Sequence, residues 1–327
     1  MKRRLAFLSH LILSILFYSL CQNLYAQSQI SNTTLQLYFN TTNATKNSIN
    51  ELSPATNSSH KLRVVSSFFP IDEFVKKIGG DMIQSSILIP TGIEPHDFEP
   101  TINQIQTVDS ADVLVYNGLG IENWITKINT AHKIDASEGL NASYTDRRNM
   151  TLDPHVWLDP LLAKKEVENI RDGLMTIDPN NRDRYFNNAK NFLNELDNLD
   201  KTIKTYLESC KKRDFITFHN SFSYFAKQYG LNQHSISNAG PEAEVTPTRL
   251  VEIINIAKSL DLKVIYSEEL LDSRFASVVA QEIPGGKVLV LSPIEGLTKY
   301  EQQVGIGYID KMNENIKNLT VGLECNQ

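Results

Sequence analysis

The chain has 327 residues, of which 41% are hydrophobic and 21% are charged. This composition is typical of a globular protein with one large domain or two medium ones. The net charge of −6, with basic residues only in short pairs and triplets, argues against a nucleic-acid partner.

The first 26 residues are typical of an export signal. A basic start precedes a mostly apolar run from Leu5 to Leu20, and Ala26 offers a small residue for cleavage. An uncleaved N-terminal anchor is the alternative, and Cys21 lies where a lipoprotein cysteine would lie. Both interpretations place the protein outside the cytoplasm, and we expect it to be exported and tethered to the cell surface or membrane.

Residues 27–60 are rich in Ser, Thr and Asn and contain few apolar residues. Such a segment cannot bury a core, so we expect a disordered tether. Four acceptor patterns for N-glycosylation begin in this segment. Since so short a pattern often occurs by chance, a linker without glycans is the alternative. The patterns start at Asn32, Asn40, Asn43 and Asn57.

The folded part begins near Leu62 with strands that alternate with helices. The β-branched runs LRVVSS, SSILI and DVLVYNG predict strands, and helical patterns lie at Pro70–Ile78, Thr101–Ser110 and Leu161–Ile177. This alternation predicts parallel β/α units, and we assign residues 61–177 to a first β/α lobe.

Residues 178–210 carry the pattern of one long helix. Asp178-Pro179 marks its start, and no glycine or proline interrupts the helix between Pro179 and residue 210. About 30 residues at 1.5 Å each span ~45 Å, which predicts a rigid connection between two lobes. Its apolar stripe comprises Phe186, Ala189, Phe192, Leu193, Leu196, Leu199, Ile203, Tyr206 and Leu207.

The β/α alternation resumes in residues 211–327, which we assign to a second lobe. Strands are predicted at FITFH, HSIS, KVIYSE and KVLVLS. The predicted fold is therefore α/β, with two β/α lobes on parallel sheets joined by one long helix. Helices are expected at Ser221–Tyr229, Thr246–Leu260, Leu270–Glu282 and Glu301–Leu319.

Three of the seven histidines share a context. His96 follows the strand SSILI, His155 lies between prolines in DPHVWLDP, and His219 ends the strand FITFH. Ligands of open α/β sheets bind at the carboxyl ends of strands, so these residues are candidates for an interlobe metal site. A hydrogen-bonded structural role is the alternative for each of them.

The acidic neighbours of these histidines fit the same interpretation. A metal-bound imidazole usually gives its second ring nitrogen to a carboxylate or carbonyl. Asp97, Asp153 and Asp159 are close enough in sequence to serve as such partners.

Cys210 and Cys325 remain once the signal region is set aside. An even pair in an oxidising compartment suggests one disulfide. Two buried free thiols are the alternative, and Cys210 as a zinc ligand is a second one.

Seven motifs occur in one order along residues 62–323: GIEPHDFEPT, ADVLVYNGLGIENWI, DPHVWLDP, FITFHNSFSYFAKQYGL, PEAEVTPTRL, VIYSEELLDSR and LSPIEGL. In this order they resemble the metal-binding solute-binding proteins of ABC importers, the zinc and manganese class called cluster A-I or cluster 9. The resemblance implies a metal in the cleft between the two lobes. It carries the first three ligands over to His96, His155 and His219.

The fourth ligand departs from the family pattern. Many members have an aspartate at the strand end where this chain has Ser292. Water, Glu94 and Glu268 are the candidates for this place.

We therefore predict a binding protein that captures Zn²⁺, with Mn²⁺ as the alternative, and hands it to an ABC importer permease. We expect a monomer that is not an enzyme. Three histidines favour zinc because manganese prefers oxygen ligands. A secreted zinc hydrolase and a metal-containing surface adhesin are the competing classes, since three protein ligands and a water also describe catalytic zinc. The long helix without a glycine predicts little lobe movement when metal binds.

Overall fold

A computed structural model describes residues 61–146, 151–237, 240 and 245–326 of the chain. The predicted export signal at residues 1–26 and the predicted tether at residues 27–60 lie outside the described residues. Within the described ranges, no helix combines the length and the apolar composition that a membrane span requires.

The first lobe contains a four-stranded parallel sheet and the helices packed on it. Its elements are β1 (Leu62–Ser66), α1 (Phe69–Gly79), β2 (Ile83–Ile87), α2 (Ile102–Asp109), β3 (Val113–Tyr116), β4 (Lys133–Asp135), the hairpin strands β5 (Tyr144–Asp146) and β6 (Thr151–Leu152), and α3 (Pro160–Ile177). The strand order is β2-β1-β3-β4, and each neighbouring pair is parallel. Helix α1 contacts the first three of these strands, and α3 contacts β4.

The second lobe repeats this architecture. Its elements are β7 (Asp214–Thr217), α5 (Ser223–Tyr229), β8 (Asn232–Ser235), α6 (Pro247–Ser259), β9 (Val264–Ser267), α7 (Arg274–Gln281), β10 (Lys287–Val290), α8 (Lys299–Val304) and α9 (Tyr308–Gly322), and the long helix α4 (Arg182–Glu208) precedes them. The strand order is β10-β9-β7-β8, again all parallel. The predicted α/β fold with two parallel sheets is confirmed.

Helix α4 connects the two lobes over 27 residues, a length of about 40 Å. It packs against α1 and α3 of the first lobe and against α9 of the second. A turn of 3-10 helix, Pro179–Asn181, precedes it, so the regular helix begins later than predicted. One hydrophobic core, which includes residues of both lobes, surrounds the buried face of α4.

The buried face of α4 differs from the predicted stripe at two positions. Phe186 is 49% exposed and Tyr206 is 53% exposed, although both were assigned to the stripe. Tyr185 takes the buried place instead, and its hydroxyl donates a hydrogen bond to Asp178 (2.7 Å). Neighbouring positions on a helix are 100° apart, so only one of two adjacent aromatic rings can face the core.

The structure differs from the predicted secondary structure at two further places. The predicted helix at Glu301–Leu319 is two helices, because Gly305 adopts φ 76° and ends α8. The left-handed conformation is open to glycine at little cost, and it reverses the chain before α9 begins. Strand β4 was not predicted, since three residues carry too little periodicity to be recognised.

A tight loop after β3 supports the segment that carries His155. The buried carboxylate of Glu122 accepts the backbone N–H groups of Asn117 (2.8 Å) and Gly118 (3.0 Å). The side chain of Asn117 then donates to the carbonyl of Pro154 (3.1 Å). Gly118 is required here, since its φ is 89° and a Cβ atom would lie 2.3 Å from the carboxylate of Asp135.

The burial of Glu122 makes stability depend on pH. Burial raises the pKa of its carboxyl from 4.5 to about 7, against the N–H groups that lower it. Between these two pH values the folded state keeps a proton that the unfolded state has lost, so stability falls as pH rises. The rise of this pKa from 4.5 to about 7 corresponds to a loss of ~3 kcal/mol in the free energy of unfolding across this pH range. We expect Glu122→Gln to remove this part of the pH dependence between pH 5 and 8 in urea unfolding.

The matched control is Glu138→Gln, which changes an exposed glutamate near β4. It should leave the slope of stability against pH unchanged. The same slope in Glu122→Gln and in the unaltered protein would show that Glu122 does not hold the extra proton.

A disulfide joins the segment after α4 to the segment after α9. Cys210, two residues after α4, is bonded to Cys325, three residues after α9, with an S–S distance of 1.90 Å. Beside it, the N–H of Lys212 donates to the carbonyl of Leu323 (3.0 Å). The bridge fastens the segment after α9 to the end of the long helix, and the sulfur of Cys210 is thereby bonded to Cys325 and is not available as a zinc ligand.

We expect Cys325→Ser to lower the free energy of unfolding by about 2–4 kcal/mol, because the unfolded chain loses a cross-link. Urea unfolding measures this, and dithiothreitol should bring the unaltered protein to the same stability without affecting the variant. In a chain that lacks the signal region, thiol titration of the unfolded, unreduced protein should find no free thiol. Two free thiols would contradict the pairing.

Candidate metal centre

Four buried or half-buried side chains meet between the two lobes. His96 and His155 come from loops of the first lobe, and His219 and Glu295 come from loops that follow β7 and β10 of the second. One ligand atom from each residue lies within 4.8 Å of the others. The predicted histidines are thus brought together, and a glutamate that sequence reasoning did not name joins them.

The distances within this cluster are short. The Nε2 atom of His155 lies 3.2 Å from Nε2 of His96 and 3.2 Å from Nε2 of His219. Oε1 of Glu295 lies 3.1 Å from Nε2 of His96, 3.0 Å from that of His155 and 3.6 Å from that of His219. Each side chain therefore turns one electron-rich atom toward the same small volume.

This spacing fits a four-coordinate cation. Tetrahedral zinc with bonds of about 2.0–2.1 Å holds neighbouring ligand atoms roughly 3.3 Å apart. Neutral imidazole nitrogens and a carboxylate oxygen at such distances repel one another unless a proton or a cation lies between them. The donor set of three histidines and one glutamate thus suits a divalent transition metal.

His155 is held by the carboxylate of Asp153. Its Nδ1 lies 2.7 Å from Oδ1 of Asp153, and its backbone N–H donates to the same oxygen (3.1 Å). Donation by Nδ1 leaves Nε2 as the ligand atom. The carboxylate of Asp153 thus lies against Nδ1 of His155, whereas Asp159 caps α3 by accepting the N–H of Leu161 (2.9 Å).

His219 has an equivalent partner in Glu268, the residue that follows β9. The Nδ1 atom of His219 lies 2.7 Å from Oε1 of Glu268, and the backbone N–H of His219 donates to that oxygen (3.1 Å). Glu268 was predicted as a fourth ligand. It lies on the far side of the imidazole from the cluster, so it orients the ring rather than completing the ligand set.

His96 is the most accessible member of the cluster. Its side chain is 19% exposed, whereas those of the other three are exposed by no more than 3%. The carboxyl oxygen of Glu94, the other predicted fourth ligand, accepts the backbone N–H of His96 (3.3 Å). Asp97, predicted as a partner of the ring, is exposed. The loop of His96 is closed by a turn in which the N–H of Phe98 donates to Pro95 (3.3 Å).

The loop after β10 presents Glu295 to the cluster. Ser292, at the place of the family aspartate, is buried and exchanges two hydrogen bonds with the side chain of Asn315 (2.8 and 2.7 Å). Its hydroxyl accepts the N–H of Ile294 (3.0 Å), which has a φ of 60°. A β-branched residue in this conformation is strained, and such strain is often found at functional sites. The carboxylate is therefore supplied three residues later than the family pattern suggested.

The segment around His155 also contacts this loop. The indole N–H of Trp157 donates to the carbonyl of Pro293 (2.8 Å), and the hydroxyl of Tyr308 donates to the carbonyl of Trp157 (2.6 Å). Trp157 belongs to the first lobe, while Pro293 and Tyr308 belong to the second. Both contacts are buried, and they fix the two lobes to each other directly beside the cluster.

The charges of the cluster are strongly coupled. Burial alone lowers the pKa of His219, but the carboxylates of Glu268 and Glu295 outweigh it and raise that pKa well above the ordinary value. Burial tends to raise the pKa of Glu295, and the imidazoles of His219 and His96 reverse this and hold it well below its usual range. Burial, and then repulsion from Glu295, raises the pKa of Glu94 to about 9. A metal ion that binds here must displace protons from imidazoles.

Glu295 is the ligand candidate that sequence reasoning missed. It lies within the motif LSPIEGL, but attention went to Ser292, where the family aspartate was expected. The available signal was an acidic residue between Pro293 and Gly296, in a loop after a strand of the second sheet. The two candidates named instead, Glu94 and Glu268, are bound to the backbone of His96 and to the ring of His219.

Comparison with known proteins identifies the family of the chain. The sequence profile of the family described as zinc-uptake complex component A, periplasmic, matches residues 64–322. The chain belongs to this family. The resemblance to metal-binding proteins of ABC importers, inferred from the seven motifs, is thereby confirmed.

Two of the relatives are named for zinc uptake or zinc binding. The high-affinity zinc uptake system protein ZnuA of Bacillus subtilis is 38% identical over 280 residues, which are 80% of this chain and 88% of that protein. The zinc-binding lipoprotein AdcA of Streptococcus pneumoniae is 34% identical over 277 residues, and the match covers 79% of this chain but only 55% of AdcA. This chain therefore spans about half the length of AdcA.

A solved structure shares the fold. The crystal structure of the Zn(II)-bound ZnuA-like domain of Streptococcus pneumoniae AdcA matches with a TM-score of 0.72 at 34% identity. The match covers 81% of this chain and 99% of the domain.

Proposed function

We propose that this protein is the extracytoplasmic substrate-binding component of an ABC importer, and that it captures zinc and delivers it to the membrane permease. The convergence of three imidazole Nε2 atoms and one carboxylate oxygen carries the proposal. The family membership and the zinc-binding relatives support it.

The proposed ligands are His96, His155, His219 and Glu295. Imidazole-rich, four-coordinate sites suit zinc, whereas manganese favours octahedral sites rich in oxygen. Asp153 and Glu268 keep the rings of His155 and His219 in the orientation and tautomer that ligation needs. Zinc is here a cargo, so its release matters as much as its capture.

We further propose that the protein acts as a monomer outside the cytoplasm, held at the surface or membrane through its N-terminal region. The lipoprotein and periplasmic relatives support an extracytoplasmic place. We expect the lobes to move little on binding, since α4 packs on both and the Trp157–Pro293 contact joins them next to the site.

Zinc preference is tested by calorimetry on the metal-free protein. We expect one zinc ion per chain, and we expect manganese to bind more weakly and to be displaced by zinc, because the site offers three nitrogens and one carboxylate. Equal or tighter manganese binding would contradict the preference. Hydrolysis of ester, peptide or β-lactam substrates that is lost on chelation would favour the hydrolase, and no metal binding at all would favour the adhesin.

The fourth ligand is tested by two matched substitutions, Glu295→Gln and Glu94→Gln. We expect Glu295→Gln to weaken zinc binding by at least about 100-fold, because loss of a ligand should exceed the 10–100-fold effect of altering a residue behind one. Glu94→Gln should have a much smaller effect, since its carboxyl is bound to the backbone of His96. Asp97→Asn, at an exposed position, serves as the inert control.

Competition with a chelating dye of known affinity measures all three variants. If Glu94→Gln weakened zinc binding as strongly as Glu295→Gln, the assignment of Glu295 as the only carboxylate ligand would be wrong.

A further inference from the structure

Asp153 contacts the second lobe as well as a proposed ligand. Its Oδ1 atom is the partner of His155, while its Oδ2 atom accepts the hydroxyl of Ser223 at the start of α5. The carboxylate is 1% exposed, so both contacts are shielded from water. Asp153 thus lies between a zinc-binding ring of the first lobe and a helix of the second.

Tyr224, the next residue of α5, makes a second contact to Asp153. The hydroxyl of Tyr224 donates to the backbone carbonyl of Asp153 (2.9 Å) and accepts the N–H of Ser143 (2.8 Å). The N–H of Asp153 in turn donates to the carbonyl of Ser143 (2.8 Å). Side chain and backbone of Asp153 are therefore both held by the first turn of α5.

We infer that Ser223 and Tyr224 are positioning residues, which couple zinc occupancy at His155 to the docking of α5 on the first lobe. This inference rests on the proposed function. It concerns how the site retains its cargo and how occupancy reaches a helix of the second lobe that contributes no ligand.

The orientation of the Asp153 carboxylate is the physical link. A carboxylate held at one oxygen can still rotate about its side-chain bonds, whereas one held at both oxygens is fixed. Ser223 fixes the second oxygen, so the first remains in line with Nδ1 of His155. Partners behind a ligand typically change metal affinity by about 10–100-fold when they are removed. Loss of the Ser223 hydroxyl should therefore speed zinc release.

The coupling must also act in the opposite direction. If docking of α5 strengthens zinc binding, zinc binding strengthens the docking of α5 by the same free energy. Zinc fixes His155, His155 keeps Asp153 in place, and Asp153 then holds the first turn of α5. The helix should consequently open less often when the site is loaded.

The first experiment measures zinc release. We expect Ser223→Ala and Tyr224→Phe each to raise the zinc dissociation rate about tenfold, with little change in the association rate. Ser223→Thr, which keeps a hydroxyl, should restore slow release. Stopped-flow transfer of zinc to an excess of chelator gives these rates.

Tyr229→Phe is the matched control on the same helix. It removes a buried hydroxyl that donates to Asp200 on α4 (3.0 Å), away from the cluster. This variant should lose some thermal stability but release zinc at the rate of the unaltered protein. The comparison separates loss of a helix contact in general from loss of the contact to Asp153.

The second experiment is hydrogen exchange of the α5 amides with and without zinc. Zinc should increase their protection in the unaltered protein, and the increase should be smaller in Ser223→Ala. Unchanged zinc release in both Ser223→Ala and Tyr224→Phe, or α5 protection that does not respond to zinc, would overturn the inference. Failure of the unaltered protein to bind zinc would instead overturn the proposed function.

Discussion

The structure depends on a crowded set of electron-rich atoms that the protein keeps together away from water. When the imidazoles are neutral and no cation lies between them, three ring nitrogens and one carboxylate oxygen repel one another, so free side chains would separate. Two imidazoles are held from behind, by Asp153 and Glu268 at 2.7 Å each. Glu295 is held through the strained backbone of its loop. The surrounding contacts can be understood as the support that this arrangement requires.

Because the four atoms come from both lobes, the contacts between the lobes are part of the site. Trp157 reaches the loop of Glu295, Tyr308 reaches the carbonyl of Trp157, and Asp153 reaches α5. All of them involve the short segment on either side of His155. A site of this kind is assembled when the lobes pack on the common core around α4, and its geometry is set by the same contacts that hold the lobes together.

Much of the fold and three of the four proposed ligands could be predicted from the sequence. Alternation of strands and helices is a local property, and His96, His155 and His219 each stand in loops with a clear relation to a predicted strand or to prolines. Glu295 could not be found in this way, because the choice among Glu94, Glu268 and Glu295 depends on which side of an imidazole each carboxylate reaches. The partners of Asp153 on α5 lie 70 and 71 residues away, and no local pattern connects them. Likewise, the pattern of α4 could not decide which of Tyr185 and Phe186 faces the core.

The bridge between Cys210 and Cys325 closes the second lobe into a covalent ring, with a sequence separation of 115 residues. His219 and Glu295 lie inside this ring, whereas His96 and His155 lie outside it. A protease that cuts one peptide bond within the ring opens it without releasing a fragment, since the disulfide still joins the two pieces. A cut between His96 and His155 leaves its two pieces joined by packing alone. His219 and Glu295, the two proposed ligands of the second lobe, thus belong to the part of the chain that a single proteolytic cut cannot separate into two unlinked pieces.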